Sequence, residues 1–430
     1  MRPALNPLVL SLKESATLAI NLKALELRRQ GEDIVHFGFG QSPFPVPEII
    51  QQALRDNADK KDYLPTQGLP ELCEAVAGFY RNEFGYDFKA LDVCIGPGSK
   101  ELIFQIIYLM EGPLLIPVPS WVSYGPQAAL RGKEIIPIPT SRENNYRLTP
   151  ELLDRACYSA GQSQKLLIFN NPNNPTGALY HENEIKEIAE ICRAYQVIVI
   201  SDEIYAMIDF DQWPMSSLAI FYPEGTIVSG GLSKSFAAGG YRLGVVLIPD
   251  SLELMMSALK SVVSETFSAV SAPVQYAALK AYRDFDEVRP FVEKTCDIYK
   301  YILNYLHTRF IGMGLNCPKP AGSFYLFPDF ENFRKQLRER GIITSIALVD
   351  ALLGESSIAV LPGSDFYMPA TSLGFRVAAV DFDGVQVLET WPGADHVTEE
   401  YFHTFFPKIE QGCECIKRFL MSRTPAPLRP

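Results

Sequence analysis

The sequence predicts an α/β protein: a three-layer α/β/α large domain around a mostly parallel sheet, with a smaller α+β domain. Three observations predict it. Between about residues 90 and 250, short continuous apolar runs alternate with segments of helical period. Continuous runs mark strands buried on both faces, the habit of a parallel sheet between helix layers. After about residue 280, longer helical segments surround short strand candidates, and 430 residues exceed what one ordinary core holds. The expected division is an N-terminal segment, 1–45, joining the small domain, then a large domain, 46–290, and a small domain, 291–430.

The elements follow in order. "MRPALNPLVLSLKESATLAI" has prolines at 3 and 7, and a lysine and glutamate where an export signal needs an unbroken apolar stretch, so it reads as part of the mature protein. "IGPGSKELIFQIIYLM", from residue 95, is a glycine turn opening into an apolar helix. The amides of Gly98, Ser99 and Lys100 at that start lack intrahelical partners and suit an anion. Such turns are common, and this one is neither a GxxxxGK[ST] loop nor a GxGxxG fingerprint. The run "LLIPV" at 114 leads into "SWVSYGP", so Trp121 stands at a strand end, either as core or as a face for a planar ring. "IIPI" at 135 and "KLLIFN" at 165 are the next strand candidates. "NPNNPTG" then gathers turn residues, among which Asn174 offers a side-chain amide.

"ENEIKEIAEICRAYQ" sets Ile185, Ile188, Ala189 and Cys192 on one helix face and charges on the other. "VIVIS" at 197 runs into "SDEIY". An aspartate there, Asp202, is costly to bury without a cation or strong donor, unless it caps a helix or sits in a solvated loop. Tyr205 reads equally well as core. "TIVSG" at 226 and "GVVLI" at 244 flank "GLSKSFAAGGYRLG", where small residues surround Lys234 and Arg242. An isolated lysine is most simply a surface residue. Beyond these, "VRPFVEKTCDIYKYILNYLHTRF" and "TEEYFHTFFPKIEQGCECIKRFL" each predict one long helix. "SFYLF" and "GFRVAAV" predict strands, and "SRTPAPLRP" a frayed tail.

Bulk properties exclude several functions. A net charge of -11 with no Lys/Arg run argues against nucleic acid. No window reaches the roughly eighteen apolar residues of a membrane span. Eight scattered cysteines read as thiols in a reducing cytoplasm, and the single CxC at Cys413 and Cys415 has no second pair to make a metal site. The five histidines show neither metal-ligand spacing nor a hydrolase-like Ser/His/Asp order.

Ligands of open α/β sheets collect outside the carboxyl ends of the strands. The residues there match the needs of pyridoxal 5'-phosphate: a lysine for its aldehyde, a carboxylate for its ring nitrogen, an anion site and an apolar wall. Lys234 meets the first, and Asp202 the second. Asn174 and Tyr205 suit the ring hydroxyl oxygen. Gly98, Ser99, Lys100, Ser233 and Arg242 suit the phosphate, and Trp121 one ring face. Small residues beside Lys234 leave room for the ring.

"NNPNNPTG", "SDEIY", "GLSKSFAAGGYRLG" and "SWVSY" stand in order, and together with "KESATLAINLKALELRRQG" and "KDYLPTQGLPELCEAVAGFY" they make the chain resemble a fold-type I pyridoxal-phosphate aminotransferase of class I/II, nearest the aspartate aminotransferase-like branch. The resemblance implies ping-pong transfer of an amino group between an L-amino acid and a 2-oxo acid. It implies a homodimer with shared sites, in which Tyr63 reaches the neighbouring subunit's phosphate. It also implies that Gly40 and Arg376 hold the substrate carboxylate, that Phe324 lines the substrate pocket, and that Ser15 and Thr17 touch the substrate side chain.

Two stretches depart from the family pattern. Arg376 is followed by "VAAVDFDGVQVLETWPGADH", with Asp381 and Asp383 as a solvated loop or as residues that alter the pocket. Gly231 stands where some relatives place a phosphate-holding serine. The motifs fix the cofactor more firmly than the reaction. A lyase, decarboxylase, cyclopropane-forming synthase or oxidase on the same scaffold stays open, as does a ligand-sensing domain, which would want a fused DNA-binding module.

Overall fold

The computed structural model describes residues 4–10, 12, 16–211 and 214–422. Its strands are β1 (Val35–His36), β2 (Val93–Gly96), β3 (Leu114–Val118), β4 (Ile135–Pro139), β5 (Leu166–Asn170), β6 (Ile198–Asp202), β7 (Thr226–Gly231), β8 (Gly244–Leu247), β9 (Tyr325–Leu326), β10 (Ile358–Ala359), β11 (Leu361–Pro362) and β12 (Phe375–Ala378). Seven of them form one sheet in the order β2-β8-β7-β6-β5-β3-β4. β3 to β7 pair in parallel, while β8 runs antiparallel to both its neighbours. The central runs bury every residue because helices cover both faces. β4 carries Pro137 and Pro139, which an edge strand tolerates.

Apolar clusters lie on both sides of this sheet. One gathers Leu102, Ile106, Ile116 and Ile200, the other Leu115, Leu153, Phe169 and Ile188. A further cluster packs the Phe285–Gly312 helix against β9, β12 and the Pro407–Met421 helix. There β12 lies between β11 and β9, antiparallel to each. β1 pairs in parallel with β10, tying the N-terminal segment to the C-terminal part of the chain.

Several expectations need correction. "VCIG" forms β2, too short and mixed to stand out in sequence. The single helix expected over 398–420 is two, Glu399–Phe405 and Pro407–Met421. Pro407 disfavours helical backbone at Phe406, which sits at φ −124°, and starts the second helix where its missing N–H costs nothing. Asp381 is not in a solvated loop. It accepts from Arg28 Nη2 (2.7 Å) and the His36 N–H (2.7 Å), while Asp383 caps the Gly384–Thr390 helix. Past residue 422 the tail lies outside the described residues. Among the described residues no helix is long and apolar enough to cross a membrane.

Candidate active site

Parallel register sets Asn170 and Asp202, the last residues of β5 and β6, side by side with Ser229 of β7. Asn170 Nδ2 donates to the Asp202 carbonyl (2.8 Å), and its Oδ1 accepts the Asn174 N–H (2.7 Å), so the turn folds back over the strand end. The Asp202 carboxylate accepts from Tyr124 O–H at 2.5 Å. Burial pushes this carboxyl up to about 6, although the Tyr124 hydroxyl, the Ile204 amide and the Lys234 ammonium all favour its charged form.

Lys234 follows β7, and its Nζ donates to the Gly40 carbonyl at 2.6 Å. The rings of Phe324 and Tyr205 lie 5.4 and 5.6 Å from that nitrogen. Burial, then the Arg376 and Arg242 charges, bring the ammonium down to about 7. Tyr205 Oη meets Tyr325 Oη at 2.9 Å.

The Ser99–Leu109 helix begins at Gly98, which at φ 97° adopts a backbone that glycine permits. A Cβ there would fall 2.2 Å from Arg242 Nη2, so a larger residue would displace the guanidinium from this position. Arg242 is held by the carbonyls of Gly239 (2.9 Å) and Pro97 (3.2 Å), beside the free amides of the helix start. At Gly231, a side chain would strike the Leu243 carbonyl at 2.7 Å, so no serine fits.

Arg376, on β12, is 1% exposed. Its Nη1 donates to Asn174 Oδ1 (3.1 Å) and its Nη2 to the Gly38 carbonyl (2.7 Å), while its buried Nε has no partner. Among the described residues no carboxylate lies at ion-pair distance from this guanidinium; the Asp365 charge acts on it without touching it, and an anionic ligand could pair with it directly.

These groups surround one cavity of about 300 Å³. Of the predicted residues, Gly40, Ser99, Lys100, Trp121, Asn174, Asp202, Tyr205, Ser233, Lys234, Arg242 and Arg376 line it. Gly98 adjoins it as the helix cap. Phe324 is fully buried behind it, and the neighbouring Tyr325 takes the lining position. Tyr63 is 98% exposed and does not line the cavity of its own chain. Ser15 and the side chain of Thr17 lie outside the described residues, but Leu18 of the Ala16–Arg29 helix lines the cavity. Asp381 and Asp383 do not.

Sequence reading missed Tyr124, the partner of Asp202, and Tyr325, the partner of Tyr205. Both stand inside quoted motifs, "SWVSYGP" and "SFYLF", but one tyrosine near a tryptophan or phenylalanine gives no sign of which ring faces a ligand.

Four cations (Lys100, Lys234, Arg242, Arg376) and one carboxylate (Asp202) line the cavity. Such an excess suits a phosphate together with a substrate carboxylate, and the donor set fits pyridoxal 5'-phosphate. The comparisons agree. Residues 32–388 match the family described as aminotransferase class I and II. Aspartate aminotransferase of Geobacillus stearothermophilus is 34% identical over 389 residues, 87% of this chain and 96% of that protein. A probable aspartate/prephenate aminotransferase of Aquifex aeolicus is 34% identical over 385 residues, covering 86% and 93%. The solved structure of Thermus thermophilus aspartate aminotransferase with maleate superposes with a TM-score of 0.83 at 28% identity, covering 97% of this chain and all of the other. A match across that span, with relatives a third identical along most of their length, makes this chain a member of the class I and II aminotransferases.

Proposed function

We propose that this chain transfers the amino group of an acidic L-amino acid to a 2-oxo acid, with Lys234 moving the proton and Arg376 gripping the α-carboxylate. Aminotransferases of this family use pyridoxal 5'-phosphate. When bound, the cofactor supplies an aldehyde to receive the amino group and a ring that withdraws electrons. The observation that carries the reading is a buried guanidinium without an acid partner facing the same cavity as the Lys234 amine and the Asp202 carboxylate.

Asp202, held by the Tyr124 hydroxyl, favours a proton on the ring nitrogen. Asn174 and Tyr205 would bind at the ring hydroxyl, Trp121 would cover a ring face, and Ser233, Arg242 and the amides of Ser99 and Lys100 would hold the phosphate, whereas the Gly98 N–H already donates to the Gly96 carbonyl (2.7 Å). Lys234, whose charge is disfavoured by burial and by the Arg376 and Arg242 guanidiniums, takes a proton from the substrate α-carbon. Gly40 joins Arg376 at the α-carboxylate. The Lys100 ammonium lies 5.0 Å from the Trp121 ring centroid and forms no ion pair among the described residues, so it suits a side-chain carboxylate. The names of the relatives, aspartate and aspartate/prephenate aminotransferases, support an acidic donor. Ser15 and Thr17 remain candidates for the same end of the substrate, and Phe324 supports Lys234 from behind.

Each subunit's Tyr63 serves the partner's phosphate in a homodimer, a role its exposure supports. All eight cysteines are free thiols, which supports a cytoplasmic setting. The test is a panel of single amino donors mixed with loaded enzyme. L-Aspartate or L-glutamate should release one oxo acid per active site, and Lys100→Ala should weaken acidic donors more than neutral ones. Ammonia or carbon dioxide in place of oxo acid would overturn the reading.

A further inference from the structure

We infer that Tyr367 is a positioning residue for amino-group transfer: its hydroxyl caps the helix that carries Tyr124, fixing the Trp121–Tyr124 wall of the cavity against the strand that carries Arg376. The inference rests on the aminotransferase reading above.

The Tyr124–Arg131 helix has no side-chain cap of its own. Its N-cap residue, Ser123, makes no capping hydrogen bond, and Pro126 at its third position has no N–H. The first-turn amide left over is that of Gly125, and it donates to Tyr367 Oη at 2.6 Å. The Tyr367 O–H points back to the Val122 carbonyl (3.4 Å), and the Phe366 carbonyl accepts the Ser120 N–H (3.1 Å). The Phe366–Tyr367 corner therefore grips the segment 120–125 at both ends.

The same corner touches the other half of the site. The Arg376 guanidinium lies 5.2 Å from the Phe366 ring centroid, and Leu361, just before the corner, is in register with Arg376. On the cofactor side, Tyr124 holds Asp202 and packs edge-on against Trp121 with centroids 5.2 Å apart. One contact thus links the residues proposed for the substrate carboxylate to those proposed for the ring.

Neither member of the contact suits its own backbone. Tyr367 sits at φ 68°, a region disfavoured for a residue with a Cβ. Gly125 is helical, where glycine is a poor choice, yet a Cβ there would lie 2.3 Å from Tyr367 Oη and 2.8 Å from its ring. A strained tyrosine over an obligatory glycine makes sense through what the pair does together.

Tyr367→Phe should raise KM for both amino donor and oxo acid about three- to tenfold, the worth of one neutral hydrogen bond, with kcat within about twofold. In cofactor-free protein the same variant should speed hydrogen exchange at the residue 125 amide. Gly125→Ala should raise KM similarly, be no worse when combined with Tyr367→Phe, and become harmless in a Tyr367→Gly background. Unchanged exchange at residue 125 in Tyr367→Phe would overturn the hydrogen bond. Faster exchange with unchanged KM would overturn the positioning role. Because exchange is read without cofactor or turnover, the first outcome stands whether or not the wild type proves to be an aminotransferase, and only the second is read on the reaction itself.

Discussion

Burial and two neighbouring arginines work against the charge of Lys234, bringing the amine of the cofactor-free protein down to about 7. Lys234→Ala should fold, lose the visible absorbance of covalently held cofactor, and lose about 10⁴-fold or more in turnover; full retained activity would refute the assignment. Arg376 is a different kind of residue. It is buried without an acid and offers a planar fork, so Arg376→Ala should raise KM about 10²-fold for every amino donor regardless of side chain. Steady-state kinetics across donors checks this, and an unchanged KM would remove Arg376 from the clamp.

At the scale of elements, the stretch after Arg376 works as an anchor. Asp381 binds Arg28 on the Ala16–Arg29 helix, and Arg28 also donates to the Ile34 carbonyl at 2.8 and 3.1 Å. The helix so tethered presents Leu18 to the cavity. Asp381→Ala should therefore cost about 1–3 kcal/mol in urea unfolding, discounted for the part-exposed Arg28, and should also raise KM. Asp383 accepts from the amides of Val385 (3.0 Å) and Gln386 (3.1 Å) as an ordinary helix cap. Asp383→Ala should cost about 1 kcal/mol and leave KM alone. The pair separates anchoring of the cavity wall from simple stability.

For the molecule as a whole, buried charge sets the pH response of the cofactor-free protein. Glu203 is buried beside Asp202 with three hydroxyl donors, from Tyr86 (2.8 Å), Ser201 (2.7 Å) and Ser217 (2.5 Å), and burial pushes it up to about 7 from an ordinary 4.5. Between those values the folded state binds more protons than the unfolded, so its stability is fully present below about 4.5 and lost as pH rises through about 7. Asp202 acts the same way through about 6, whereas Lys234 acts oppositely, its contribution lost as pH falls through about 7. Glu203→Gln should remove the Glu203 part. In urea titrations of apoprotein at pH 5 and pH 8, the variant should gain about 1–3 kcal/mol on the wild type between the two. Parallel curves would show that the Glu203 carboxyl keeps its ordinary proton affinity.

The sequence by itself determined the strand runs from Leu114 to Leu247, the amphipathic helices and the order of Asn174, Asp202, Lys234 and Arg376, because apolar period and strand-end polarity are written in neighbouring residues. Tertiary structure alone decided which rings turn toward the cavity, as with Tyr124 and Tyr325, and the antiparallel course of Gly244–Leu247. It also decided the Arg28–Asp381 pair, 353 residues apart, and the meeting of Tyr367 with Gly125, 242 apart. Contacts of that separation depend on how packed elements approach one another, and a local pattern carries no record of that distance.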